Sequence, residues 1–147
     1  MNQSDNRISL AVAQPRLAVV WFSGGGFILL LVIIQSLMGK YEGKTDEAWS
    51  WLLPSIMPTL SLIIGVLVAG AKRENQPEET VTRFVFNLSF WLSLTYLLLV
   101  ALTILISPFI AKTVEEALEL MHRSNLWLGP LQGLVGAALG VFFISKK

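Results

Sequence analysis

Four stretches of this chain run without a formal charge for at least the thickness of a bilayer core, and that feature fixes its fold class ahead of any other. Every residue from Leu17 to Gly39, from Ala48 to Ala71, from Phe84 to Ala111 and from Ser124 to Ser145 is uncharged. A segment in hydrocarbon must satisfy its own backbone hydrogen bonds, so each run is expected to be a helix. The chain is 54% hydrophobic and 14% charged, whereas soluble domains carry about a quarter charged residues. The expectation is an all-α integral membrane protein, a single domain over residues 1–147 with four transmembrane helices in a bundle.

Local signals place the boundaries. Spans are expected at roughly 16–39, 49–71, 80–107 and 125–145, behind an N-terminal cytoplasmic arm over residues 1–15. Pro15 suits the start of the first helix, where its missing N–H would have no intrahelical partner. Ile8, Leu10 and Val12 in the arm are expected to touch headgroups. Pro54 and Pro58 lie inside the second span and predict a kink, with Thr45 as its N-cap and Asp46 and Glu47 in its first turn. Pro77, Glu78 and Glu79 read as the start of the third helix, and Pro108 as its end. Thr113-Val114-Glu115-Glu116 is a capping-box pattern that opens a short interfacial helix at about 113–122, with Val114, Ala117, Leu118 and Met121 on one side.

Lys and Arg set the orientation, since acidic residues contribute little to that rule. Arg7, Arg16, Lys72, Arg73, Arg83, Lys146 and Lys147 fall on one side; Lys40, Lys44, Lys112 and Arg123 fall on the other. Seven against four places both termini in the cytoplasm, and a bacterial inner membrane is the expected location.

Three constellations inside the spans are candidates for function. Ser89, Ser93, Tyr96, Val100, Thr103 and Ser107 fall on one face of the third helix, a weakly polar stripe that suits either a pore wall or hydrogen bonding between helices. Ser23, Gly24, Gly25 and Gly26 form a weak helical segment in the first span, which a kink, a close helix crossing or a hinge lining a pore would justify. Ser61, Gly65 and Ala69 in the second span, with Gly129, Gly133, Gly136 and Gly140 in the fourth, are spaced for close backbone approach, either within the bundle or across an oligomer seam. Gln35, Ser36 and Gln132 are isolated polar groups expected to bond a neighbouring helix.

The same residues exclude several chemistries. No cysteine is present and His122 is the single histidine, so neither thiol catalysis nor a metal site is expected, and no cofactor is implied. Paired intramembrane aspartates and a His-Glu-x-x-His motif are missing, so no catalytic residue is assigned and an enzyme is not expected. All acidic residues are expected in loops, which leaves no proton carrier within a span. A net charge of +1 without a basic stripe argues against nucleic acid as a partner.

In size and span count the chain resembles the small multidrug exporters, but it lacks the acidic residue that family places in its first span. Its layout also resembles that of small multi-span effectors of bacterial defence systems, which depolarise or breach the membrane when a sensor partner activates them. The expected function is a homo-oligomeric membrane pore or ion channel of that kind, in contact with lipid, with other copies of itself and with an activating protein. The alternative is a non-conducting accessory or scaffold subunit of a larger membrane complex.

Overall fold

The computed structural model describes residues 6–71 and 79–143. Nearly all of them are helical. In chain order the elements are β1 (Arg7–Ser9), α1 (Leu10–Leu37), α2 (Thr45–Ala71), β2 (Thr80–Thr82), α3 (Arg83–Ile110) and α4 (Val114–Phe143). α1 packs on α2 and α3, and α4 completes the ring by packing on both of those, most extensively on α3. Leu10–Leu37, Thr45–Val68 and Arg83–Ile110 are long and apolar enough to cross a membrane. Their outward side chains agree with that. Phe27, Leu30, Leu37, Trp91 and Leu98 are exposed, while Trp21, Trp51, Leu52, Tyr96, Val100 and Leu139 are buried between the helices.

A small ribbon at one end replaces the expected free arm. β1 and β2 pair antiparallel, Ile8 opposite Val81, and the Leu10 amide donates to the Glu79 carbonyl at 2.9 Å. Ile8 is therefore packed against the core rather than laid on headgroups, although Val12 is exposed. The same pairing corrects two helix starts. α1 begins at Leu10, with Pro15 inside it, and α3 begins at Arg83. Thr80-Val81-Thr82 is β-branched throughout and finds a strand partner, which holds it extended. Of the expected α3 start signals, Pro77 and Glu78 lie outside the described residues, and Glu79 precedes the strand.

Two further boundaries move. α3 continues through Pro108 to Ile110, because the cost of that proline is one missing donor to the Ile104 carbonyl and the Ser107 hydroxyl supplies it at 3.0 Å. No separate interfacial helix precedes the last apolar run; α4 is one helix from Val114 to Phe143. Nothing between Met121 and Asn125 breaks it, and Met121, Ser124 and Leu128 continue the buried face begun by Ala117 and Leu118. Half of the capping box is present at its start: the Glu116 amide donates to Thr113 Oγ1 at 3.2 Å, while Glu116 Oε2 accepts from the Lys112 amide, one residue before the cap, at 2.7 Å. The last residues of the expected fourth span, with Lys146 and Lys147, lie outside the described residues.

Both ends of the ring are tied by polar contacts. At the ribbon end, Gln14 Nε2 donates to the Phe142 carbonyl at 2.9 Å, serving one of the last four carbonyls of α4. At the other end the α1–α2 turn folds on itself through Tyr41, whose hydroxyl donates to Gln35 Oε1 at 2.6 Å. Burial pushes that phenol up to about 12, so it remains a neutral donor. Lys44 Nζ reaches Glu115 Oε1 at 2.9 Å and joins the α1–α2 and α3–α4 turns.

That ion pair predicts the pH dependence of stability. The hydrogen bond from Lys44 holds the Glu115 carboxyl below its ordinary value of 4.5, and the same bond holds Lys44 above its ordinary 10.5. Glu115 therefore contributes fully above 4.5 and loses its contribution as pH falls through its depressed folded value. Lys44 contributes fully below 10.5 and loses it as pH rises through its raised one. Melting in detergent is expected to be flat near neutrality and to drop in acid by less in Glu115→Gln than in the parent. Equal acid drops in the two proteins would remove the pair from any account of stability.

Candidate functional site

The polar stripe of α3 faces the interior of the single bundle. Ser89, Ser93, Tyr96, Val100 and Ser107 are fully buried, and Thr103 is half-buried. Serine and threonine hydroxyls in a helix can bond the carbonyl three or four residues back, and three of the four do so with good geometry. Ser89 Oγ reaches the Val85 carbonyl at 2.9 Å, Thr103 Oγ1 reaches Leu99 at 2.9 Å and Ser107 Oγ reaches Ile104 at 3.0 Å. Two members also cross to other helices, Ser89 Oγ to the Ala138 carbonyl of α4 at 3.3 Å and the Tyr96 hydroxyl to the Ser55 carbonyl of α2 at 2.8 Å. Ser93 Oγ is buried without a hydrogen-bond partner among the described residues, as is Trp21 Nε1. The Trp21 ring lies 5.9 Å from that of Tyr96.

The prolines of α2 organise the centre of this network. Pro58 has no N–H for the Pro54 carbonyl, and Gln132 Nε2 of α4 donates to that carbonyl at 3.0 Å and to the Ser55 carbonyl at 3.2 Å. Ser55 thus accepts from both Tyr96 and Gln132, and three helices meet at one segment of backbone. The isolated amide of α4 was legible in the sequence; its partner was not. The signal for it is the Pro54–Pro58 spacing, because the second proline strips the carbonyl of the first. A further link between α2 and α4, from Trp51 Nε1 to Ser124 Oγ at 3.1 Å, leaves no mark in the sequence.

The glycines of α1 divide by direction. A Cβ on Gly24 would lie 2.8 Å from Leu97 Cδ1, and one on Gly25 would lie 3.3 Å from Ile56 Cγ2. α1 thus approaches α3 and α2 closely at consecutive residues, and its helix runs through without a break. Gly26 has nothing within 4 Å of that position. Ser23 is exposed and bonds its own helix at Val19, 2.6 Å away.

The spaced small residues of α2 and α4 behave differently from Gly24 and Gly25. A Cβ on Gly65, Gly129, Gly133 or Gly136 would meet nothing within 4 Å among the described residues, and Ser61 is exposed. Gly140 is half-buried; the surroundings of Ala69 lie outside the described residues. Beside Gly133 and Gly136 runs a groove of 390 Å³, walled by Pro54, Pro58, Leu62 and Gln132 among others. No group of three or more His, Asp or Glu among the described residues is placed to hold a metal ion. His122 Nδ1 lies 2.9 Å from the Leu118 carbonyl of its own helix.

Two pairs of variants test this description by thermal unfolding in detergent. Gly24→Leu drives a side chain into Leu97 and is expected to cost about 1–3 kcal/mol, while Gly26→Leu points into open space and should be near neutral. Tyr96→Phe leaves Ser55 with the Gln132 donor and should cost about 0.6 kcal/mol. Gln132→Leu strips the Pro54 carbonyl of the donor that replaces its helical one, and should cost nearer 1.7 kcal/mol. A reversed order within either pair would contradict the packing described.

Comparison with protein-family models, with curated proteins and with solved structures finds no match for this chain.

Proposed function

We propose that this chain is the subunit of a homo-oligomeric membrane pore, crossing the bilayer four times with α4 as the fourth span and both termini in the cytoplasm. The observation that carries the proposal is the outward face of α2 and α4. In lipid, apolar surfaces gain nothing by leaving the solvent, so helices associate where small residues let backbones approach and polar groups meet. Gly65, Gly129, Gly133 and Gly136 offer that surface without using it inside the chain. The adjoining groove holds Gln132 and the proline-bearing turn of α2, weakly polar groups with no fixed charge. Copies arranged about an axis would bring these grooves together, and a path lined that way would discriminate poorly between ions. The hydroxyl stripe of α3 joins the path only in a state where α3 parts from α2 and α4. Depolarisation of a bacterial inner membrane, triggered by a partner protein, is the cellular role that fits such an assembly.

One observation favours the second reading, a non-conducting accessory subunit of a larger complex. Most of the stripe's hydroxyls are already bonded within the bundle, and Leu97 and Ile56 fill the space beside Gly24 and Gly25. The outward face would then bind a different membrane protein.

Purified protein in liposomes, with its mass determined in mild detergent, separates the two. A symmetric oligomer that leaks ions is expected. The double variant Gly133→Leu, Gly136→Leu should shift the mass toward the monomer and reduce flux by about tenfold or more, the effect of ~1.4 kcal/mol in association. A stable oligomer without flux would favour the accessory subunit, and a monomer that neither assembles nor leaks would sink the pore.

A further inference from the structure

The charged residues of the expected interfacial helix stand on the first turns of α4. Glu115, Glu116 and Glu119 stand on α4, together with His122 and Arg123, on the face opposite the buried Ala117, Leu118, Met121 and Ser124. α4 turns back along α3 from this end, and Glu116, Glu119 and Arg123 stand beside the last turn of α3, whose outward residues are apolar. Leu105, Ile106, Phe109 and Ile110 are exposed there, Phe109 at 88%. A face turned only to water would not need such neighbours, and a face turned only to lipid would not carry five ionisable groups. Both conditions hold together at the boundary between hydrocarbon and headgroups.

Between the two helices at this boundary lies a pocket of 240 Å³, lined by Ile110, Ala111, Glu116, Glu119, Leu120 and Arg123. Arg123 Nη2 sits 2.8 Å from Glu119 Oε1, which holds a cation and an anion side by side on the wall. That contact engages one guanidinium nitrogen and leaves the remainder of the fork for an oxyanion. Glu116 receives the Lys112 amide on Oε2, so its other oxygen is a second acceptor at the rim.

We propose that this pocket seats the headgroup of an aminophospholipid, the phosphate on Arg123 and the primary ammonium on Glu119 and Glu116, with the acyl chains along Ile110 and Phe109. Three features select the ligand. A zwitterion matches a wall bearing both signs, where a purely anionic headgroup would meet two carboxylates. A primary ammonium donates three hydrogen bonds to carboxylates, where a quaternary one donates none. The aliphatic walls favour a ligand with chains attached over free phosphoethanolamine. The inference rests on the membrane reading of the chain, but not on its forming a pore.

Native mass spectrometry of the full chain, released from micelles containing equal amounts of phosphatidylethanolamine, phosphatidylcholine and phosphatidylglycerol with identical acyl chains, tests it. Ethanolamine lipid is expected to be retained about threefold over each of the others, the discrimination available to partly exposed ionic contacts. Glu119→Gln should bring it down to the level of the choline lipid, and Arg123→Gln should lower the retention of both. Circular dichroism and melting of each variant confirm that the bundle is intact. Equal retention of the three lipids, preference for phosphatidylglycerol, or an ethanolamine preference that survives Glu119→Gln would each overturn the proposal. None of these readouts depends on ion flux or subunit number, so the pore reading stands or falls separately.

Discussion

Backbone hydrogen bonding in an apolar interior is the constraint on which the rest of this structure depends. A helix satisfies its own carbonyls at no cost in lipid, so each interruption must be served by another group nearby. α2 is interrupted twice within its apolar length, at Pro54 and Pro58. The answer to the second interruption comes from α4, through Gln132, and the same turn receives Tyr96 from α3. Those two donors fix the rotation of α3 and α4 about their own axes, because each must present one residue to one short piece of backbone. Pro108 meets the same need inside its own helix through Ser107, and so places no demand on its neighbours.

Once that centre is set, the small residues sort themselves into two kinds. Gly24 and Gly25 lie where α1 is drawn against Leu97 and Ile56, and there the missing side chain is what permits the contact. Gly129 and Gly136, three and four residues from Gln132, share the face that it turns toward α2, with Gly133 beside them, yet no described side chain of α2 fills the space over them. Their positions are therefore a consequence of the proline interruption as much as of any pressure for helix association. The first pair is consecutive in sequence and its space is filled; the second group is spaced by four and three residues and its space is open.

How much of this was legible in the sequence follows from range. The four helices come from charge-free runs and helical periodicity, which are properties of neighbouring residues, and the capping box at Thr113 is equally local. The single face shared by Ser89, Ser93, Tyr96 and Ser107 is a matter of helical geometry, and it was readable. Whether that face met water or protein depended on which helix lay opposite, which no periodicity encodes. The ribbon between Arg7–Ser9 and Thr80–Thr82 was illegible for the same reason, since two three-residue strands far apart in sequence carry no signal until they meet. Proline rules misplaced the start of α1 and the end of α3 because they describe a local cost, and here the ribbon in one case and a single hydroxyl in the other outweighed it.

The ties have unequal consequences for motion. A bond between helices in lipid is worth about 0.6 kcal/mol and at most ~1.7 kcal/mol, because the separated helices find other partners. Freeing α3 from Tyr96–Ser55 and Ser89–Ala138 together therefore costs on the order of 1–3 kcal/mol in hydrogen bonds. The lost packing of Leu97, Val100 and Ile104 is partly replaced by acyl chains, which pack against aliphatic side chains nearly as well. The ribbon and the exposed Lys44–Glu115 pair tie the two ends, where water can take a lost partner's place, so the ion pair adds little to that hold. The ends are thus held by contacts that water can replace and the centre by contacts that lipid cannot, gathered at Tyr96, Gln132 and the Ser93 and Trp21 groups, which have no partner among the described residues. A state in which the interior admits water would supply partners to those same groups, so parting α3 from α2 and α4 and wetting the centre go together.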